Sequence, residues 1–116
     1  MKIEVLKIFI NYLKIGDIQT VEYFLQHNII LGLKSILTGN YDPTLFFCCV
    51  LIIQKILIYG KSSKLLRNKI IKILYLNDFK MIFEKIYFHH NNLNLNKVID
   101  KILNICNNED MEQMIL

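Results

Sequence analysis

The chain has 116 residues, enough for one domain with a sizeable core but too few for two. Hydrophobic residues make up 53% of it, and four Gly, one Pro and no Trp leave little material for turns, which favours helices over a β-sandwich or barrel. The formal charge of +4 comes from lysines scattered singly along the chain, which is typical of solvated helix faces rather than of a nucleic-acid or membrane patch.

The N-terminal segment predicts an amphipathic helix over residues 2–14, ended by Gly16. Charged Glu4 and Lys7 interrupt its apolar run and no small-residue cleavage site follows, so it does not resemble a signal peptide. Because its flank is also apolar, we expect residues 2–14 to expose a hydrophobic edge that pairs with another chain or a second copy. The inward positions have helix spacing: Ile3, Leu6, Ile10 and Leu13.

Two short amphipathic helices follow. Asp17 is a candidate N-cap for the first of them, and the second covers Ile29–Leu37. Asn28 separates the two, since Asn tolerates positive φ better than most residues. Their predicted inward positions are Ile18, Val21, Phe24 and Leu25, then Ile30, Leu33, Ile36 and Leu37.

The next helix is apolar on nearly every side. It begins with Asp42 as cap and Pro43 at the first helical position, and it is predicted to end at Gly60. Residues 45–53 carry no charge, and Gln54-Lys55 is the main polar break. The run is shorter than the roughly 20 apolar residues that span a bilayer, so it indicates a buried core helix.

After a loop at residues 61–64 the pattern repeats. Asn77-Asp78 is predicted to interrupt and cap, and residues 89–92 form a second polar break. The three helices of this second triplet are predicted over residues 65–76, 79–88 and 93–105. An acidic tail, residues 107–116, is predicted to fray.

These elements predict an all-α fold: a short armadillo-type right-handed helical solenoid, because two short covering helices and one long buried helix form the armadillo unit. We expect one armadillo-repeat domain over residues 1–106. Residues 1–15 would be the last helix of a preceding repeat, 16–60 the first full repeat and 61–106 the second.

Residues 16–38 resemble the ninth armadillo repeat of the importin-α family, the adaptors that carry nuclear cargo. The matching residues are Gly16, Val21, Tyr23, Phe24, Asn28, Ile30, Leu33, Ile36, Leu37 and Thr38. The resemblance continues through Asp42 and residues 56–60. It reaches the family's tenth repeat at Phe83, Glu84, Ile86, His89, Asn91, Lys97, Ile99, Asp100 and Ile102, and so covers nearly the whole chain.

The resemblance implies a non-enzymatic adaptor in nuclear protein import, present in nucleus and cytoplasm. It implies as partners an importin-β type receptor, the export receptor that recycles the adaptor, nucleoporins, and cargo with a basic localisation signal. The chain would correspond to the C-terminal part of such a molecule, the end region implicated in docking the export receptor.

The family holds localisation signals with Trp and Asn residues four positions apart on successive third helices, whose indoles pack against lysine stems. Carried onto this sequence, Asn11 takes an Asn position, but Lys7 stands where the Trp belongs. In the following repeat these positions hold Cys48 and Ile52, and the chain contains no Trp. Asn11 is therefore the candidate peptide-binding residue, and a basic signal cannot be held by this mechanism alone.

No pattern of catalytic or metal-binding residues is visible, so we expect no enzyme activity, cofactor or metal. His27, His89 and His90 are interpreted as helix-end polar residues rather than metal ligands. The three cysteines lack disulfide or zinc spacing, which fits a reducing compartment. Two of them, Cys48 and Cys49, lie in the apolar helix, where a thiolate is disfavoured.

Two alternatives remain beside the transport adaptor. One is a generic armadillo or HEAT-like protein-interaction scaffold unrelated to transport. The other is a basic module on membrane or nucleic acid, for which the nearest cluster is Lys61, Lys64, Arg67, Lys69 and Lys72; we predict neither partner. Five aromatic side chains with helical spacing are interpreted as core residues and not as a surface on which nucleic-acid bases stack: Phe46, Phe47, Tyr75, Tyr87 and Phe88.

Overall fold

The computed structural model describes residues 2–15, 18–60 and 63–115, with side chains described for 3–14, 19–60 and 63–107. Within these ranges the chain forms seven α-helices and no strand, which confirms the all-α prediction. The helices are α1 (Lys2–Ile15), α2 (Ile18–Gln26), α3 (Ile29–Leu37), α4 (Pro43–Tyr59), α5 (Lys64–Leu76), α6 (Phe79–His90) and α7 (Leu93–Ile115).

Helix α4 lies at the centre of the fold, as its apolar sequence predicts. Its most extensive contacts are with α1 on one side and α7 on the other, and α2, α3 and α5 also pack against it. A helix contacted from so many directions needs apolar residues on most of its circumference. Eight of its side chains are buried: Phe46, Cys48, Cys49, Val50, Ile52, Ile53, Ile56 and Leu57.

Helices α1 and α4 run side by side in the same direction. Near the start of both helices, Lys7 lies close enough to Cys48 for its charge to act on the thiol. Near their ends, the Tyr59 hydroxyl donates a hydrogen bond to the Lys14 carbonyl at 3.4 Å. The first turns of α4 and α7 also adjoin, at a cleft lined by Pro43, Thr44, Phe47, Asn92 and Asn94. We call α1, α4 and α7 the third helices.

The two triplets turn at equivalent corners. Asn28, between α2 and α3, and Asp78, between α5 and α6, are fifty residues apart and both have left-handed φ values, 56° and 60°. In each corner the backbone N–H of this residue donates to a carbonyl three residues earlier at 3.2 Å. The predicted capping role of Asp78 is wrong: in this conformation its side chain makes no capping hydrogen bond. The amide of Asn77 instead donates to the Ile73 carbonyl at 2.8 Å.

Helices α4 and α7 also begin with similar N-caps. Asp42 Oδ1 accepts hydrogen bonds from the backbone N–H groups of Thr44 and Leu45, at 3.0 and 3.1 Å, as an N-cap does. Asn92, fifty residues later, accepts one from the N–H of Leu95 at 3.1 Å. Corners and caps therefore recur at a spacing of fifty residues. Buried positions of α4 and α7 recur at the same spacing: Ile99 corresponds to Cys49, and Ile102 corresponds to Ile52.

The structure departs from the predicted elements at three places. Helix α7 continues to Ile115 instead of ending near residue 105, so the predicted tail is helical in its backbone up to that residue. Helix α6 includes both histidines of the predicted polar break and ends at His90. Tyr75 and Phe88 are 70% and 80% exposed and do not belong to the core. The predicted roles of Gly16, Asp17 and residues 61–62 lie outside the described residues.

The burial of α4 predicts unequal effects for two isoleucines one half-turn apart. Ile56→Ala removes a side chain that is 0% exposed, and we expect it to lower the free energy of unfolding by about 2–5 kcal/mol. Ile58 is 50% exposed, and Ile58→Ala is the matched control, with an expected change within about 0.5 kcal/mol. Urea unfolding followed by circular dichroism measures both, and equal losses would contradict a central position for α4.

Candidate protein-interaction surfaces

The side of α1 that adjoins α4 carries the candidate peptide-binding residue. Asn11 and Lys7 are both exposed, four residues apart on one helical face. Lys14 continues this face by one turn, and its carbonyl accepts the hydrogen bond from Tyr59 of α4. Asn11 is thus exposed on the same face of α1 as Lys7 and Lys14.

On α4 the two positions that correspond to Lys7 and Asn11 in the family's pattern are not available to a partner. Cys48 and Ile52 are 6% and 0% exposed, because this side of the helix is packed in the core and not open to solvent. A Trp–Asn type of clamp therefore has no counterpart on α4. The face of α4 that remains open carries Phe47, Leu51 and Gln54, each half-buried, and the exposed Ile58.

Gln54 is the residue that sequence reasoning missed. Its half-buried position in the open face of α4 puts an amide among apolar side chains, with both donor and acceptor groups for a peptide backbone. The sequence did contain a signal for it. A lone polar pair, Gln54-Lys55, in an otherwise apolar helix has to face away from the core, because an unpaired polar group in the core is costly.

Helix α7 completes a surface across the third helices. Its exposed polar residues include Asn94, Lys97, Lys101 and Asn104, at helix spacing on one face. We call the open faces of α1, α4 and α7 together the third-helix surface. Beside its apolar centre on α4, the described side chains of these helices include the exposed carboxylates Glu4 and Asp100 and five lysines: Lys7, Lys14, Lys55, Lys97 and Lys101.

The opposite side of α1 is apolar and solvent-exposed. Ile8 and Tyr12 are 52% and 62% exposed, and Val5 beside them lines a cleft of about 360 Å³ between α1 and α3. Gly32 and Ile36 of α3 form the far wall of this cleft. The sequence predicted a hydrophobic edge over residues 2–14, and these side chains are where such an edge would make contact. Pairing through it stays a prediction.

A larger cleft of about 600 Å³ lies between the end of α3 and one face of α6, from Met81 to His90. We call it the α3–α6 cleft. Buried apolar side chains form its floor and polar ones its rim. The floor contains Leu37, Phe46, Ile82 and Ile86, and the rim contains Thr38, Lys85, His89 and His90.

The rim of the α3–α6 cleft is held in place by specific contacts. The His90 imidazole stacks on the Tyr41 ring with centroids 3.6 Å apart and planes 4° from parallel. The Thr38 hydroxyl donates to the Lys34 carbonyl at 2.9 Å. Ile82 and Ile86 of this cleft are fifty residues after Gly32 and Ile36, so the two clefts lie against the same face of the second helix in each triplet.

The cysteine thiols are kept neutral by their surroundings. Burial, and to a smaller degree the adjacent Cys48, raises the pKa of the Cys49 thiol to about 12. Burial also raises the pKa of the Cys48 thiol, against the opposing effect of Lys7. A nucleophilic cysteine needs a lowered pKa, so neither thiol is suited to that chemistry.

The described residues offer no metal site. No group of three His, Cys, Asp or Glu side chains in the described ranges is placed to bind a metal ion. His27 has a local contact instead, its Nδ1 lying 2.9 Å from the Tyr23 carbonyl one turn earlier. None of the described helices combines the length and apolar character needed to cross a bilayer.

The raised pKa of Cys49 predicts a stability that falls at alkaline pH. The unfolded thiol ionises near its usual value of 9.0, whereas the folded one keeps its proton up to about 12. Between these values the unfolded chain binds fewer protons, so the free energy of unfolding decreases as pH rises, by at most about 1.4 kcal/mol per pH unit from this group.

Urea unfolding at pH 8 to 11 measures this slope. Cys49→Ala should be less stable than the wild type at pH 8, yet lose less stability on going to pH 11. Cys106→Ala is the control, because this cysteine is only half-buried. Identical slopes for the wild type and Cys49→Ala would contradict the prediction.

The exposed side of α1 predicts that the chain self-associates through an apolar contact. Ile8→Glu places a charge in this contact and should raise the dissociation constant about tenfold or more, because an unpaired carboxylate resists burial. Leu65→Glu, at a position on α5 that is 84% exposed, is the matched control. Sedimentation equilibrium in 0.5 M salt, where charge-driven contacts are screened, measures the effect. A wild-type chain that is monomeric at high concentration refutes the contact.

Comparison of the chain with protein-family models, with curated proteins and with solved structures gave no match. The likeness of residues 16–38 to an importin-α repeat is therefore a prediction from the sequence. The assignment of function rests on the geometry of the third helices and of the clefts beside them.

Proposed function

We propose that this chain is a non-enzymatic protein-interaction module, a short right-handed solenoid of armadillo type whose third-helix surface binds a partner protein. The observation that carries the proposal is the side-by-side packing of α1, α4 and α7, together with corners and caps that recur at fifty residues. In a helical repeat each unit buries its apolar face against its neighbours, and a continuous binding surface results.

The chemistry of the third-helix surface selects the kind of partner. Lysines on all three helices repel a basic peptide, and they attract carboxylates. Between them Phe47, Leu51 and Ile58 offer apolar contacts, and the amides of Asn11 and Gln54 suit an extended backbone. The partner that fits is an acidic segment with apolar side chains.

The narrower proposal, based on the resemblance to importin-α, is an adaptor in nuclear protein import that acts in nucleus and cytoplasm. Since the third-helix surface does not suit a basic localisation signal, its partners in that role would be the export receptor, an importin-β type receptor or nucleoporins. A scaffold unrelated to transport is the alternative. The two differ in their partners and not in the surface used.

Binding experiments with variants of the full-length chain test both the interaction module and the narrower transport role. The wild-type chain should bind an acidic-apolar peptide and not its lysine-substituted counterpart. Leu51→Asp combined with Lys101→Glu should weaken binding about tenfold or more, because it lowers the positive charge of the surface and places a carboxylate in its apolar centre. Lys72→Glu, an exposed lysine on α5, is the control with little expected change. Fluorescence anisotropy measures the dissociation constants.

The same variants, tested against purified export receptor and nucleoporin fragments, separate the two roles. Binding that the double variant abolishes supports the transport adaptor. Binding of the acidic peptide without any of these transport factors supports a scaffold of another kind. If neither the peptide nor the transport factors bind, or if the double variant binds as the wild type does, the third-helix surface is not the functional site.

A further inference from the structure

We propose that the α3–α6 cleft holds the acidic C-terminal segment, residues 107–116, of a second copy of this chain. This contact is separate from the third-helix surface and does not depend on the function proposed for it. The proposal rests on the shape and charge of the cleft, the sequence of the segment, and the distance that separates the two within one copy.

The lining of the cleft suits an amphipathic helix. Its floor is made of side chains that are otherwise buried in the core, such as Leu37, Phe46 and Ile86, so apolar groups of a partner would pack against a rigid base. Exposed Met81 extends this apolar surface to the mouth of the cleft. Its volume of about 600 Å³ suffices for several side chains.

The polar groups of the cleft suit carboxylates. Lys85 contributes an ammonium group, and the imidazoles of His89 and His90 contribute N–H donors. The stacking of His90 on Tyr41 holds that ring in one orientation, which lowers the entropy lost on binding. None of the residues that line the cleft is acidic.

The C-terminal segment has the complementary composition. Its sequence, NNEDMEQMIL, contains three carboxylates and no Lys or Arg. Its apolar residues Met111, Met114 and Ile115 are spaced three and four positions apart, the spacing of anchors in a helix that binds a groove. Met side chains adapt to irregular apolar surfaces. The backbone of α7 is helical up to Ile115, as this mode of binding requires.

The segment of the same copy does not reach this cleft. Helix α7 begins at Leu93, three residues after His90 on the rim, and from Leu93 to Asn107 a helix extends about 21 Å. At that point Asn107 lines a cavity with Lys80 and Phe83 of α6. The cleft is lined by other residues of α6, among them Met81 and Lys85, which lie on a different face of that helix. The occupant therefore comes from a second copy.

The test is the binding of a fluorescein-labelled peptide of residues 107–116 to the full-length chain at low concentration, measured by anisotropy. Three lysine variants with equal net charge separate the possible sites. Lys85→Glu in the cleft should weaken binding about tenfold or more, and by a larger factor than Lys101→Glu on the third-helix surface does. The control Lys72→Glu on α5 should stay within about twofold of the wild type. Met81→Glu provides a second exposed change in the cleft and should weaken binding too.

Charge reversal in the peptide completes the design. A peptide with Glu109→Lys, Asp110→Lys and Glu112→Lys should not bind the wild type, and it should bind Lys85→Glu more tightly than the wild type. An equal loss in all three lysine variants, or a loss in Lys101→Glu alone, overturns the assignment of the cleft. Equal affinity for a scrambled peptide of the same composition overturns the assignment of the occupant.

Discussion

The fold depends on the burial of α4 between α1 and α7. A helix as apolar as α4 is not stable alone in water, and neither neighbour by itself covers enough of its circumference to bury its apolar side chains. With one third helix on each side and the shorter helices behind it, α4 loses nearly all of its apolar surface to contacts. The same packing determines how much of α4 can serve in binding. Only the narrow face that lies between its two neighbours stays open.

This constraint explains why the family's clamp positions do not transfer to α4. The resemblance to importin-α aligns Cys48 and Ile52 with residues that point at a bound peptide, but in this chain both belong to the packed side of the helix. An alignment that is shifted by one residue selects a different face of a helix, since each residue turns the side-chain direction by about 100°. Phe47 and Leu51, each one position earlier, are the residues that reach the open face.

The sequence predicted most reliably those features that a single residue or a long pattern determines. Asn28 stands where the backbone needs positive φ, Asp42-Pro43 caps a helix, and the apolar run of α4 leaves no alternative to burial. Prediction failed where two local signals compete. Asp is common at helix N-caps, but Asp78 occupies a corner with left-handed φ and its side chain makes no capping hydrogen bond. The polar end of α7 continues as a helix because Glu, Gln and Met are good helix formers. The α3–α6 cleft was not predictable, because it combines residues of α3, α4 and α6 that only the packing brings together.

Consecutive residues of α4 join the two candidate surfaces. Phe46 contributes to the floor of the α3–α6 cleft, whereas Phe47 lines the small cleft where α4 and α7 begin, on the third-helix surface. Both rings are attached to the same rigid turn, directly after the Asp42 cap. The two proposed surfaces therefore share one rigid element of the fold and do not have independent supports. Asp42 holds this turn in place, because its two hydrogen bonds fix where the helix starts.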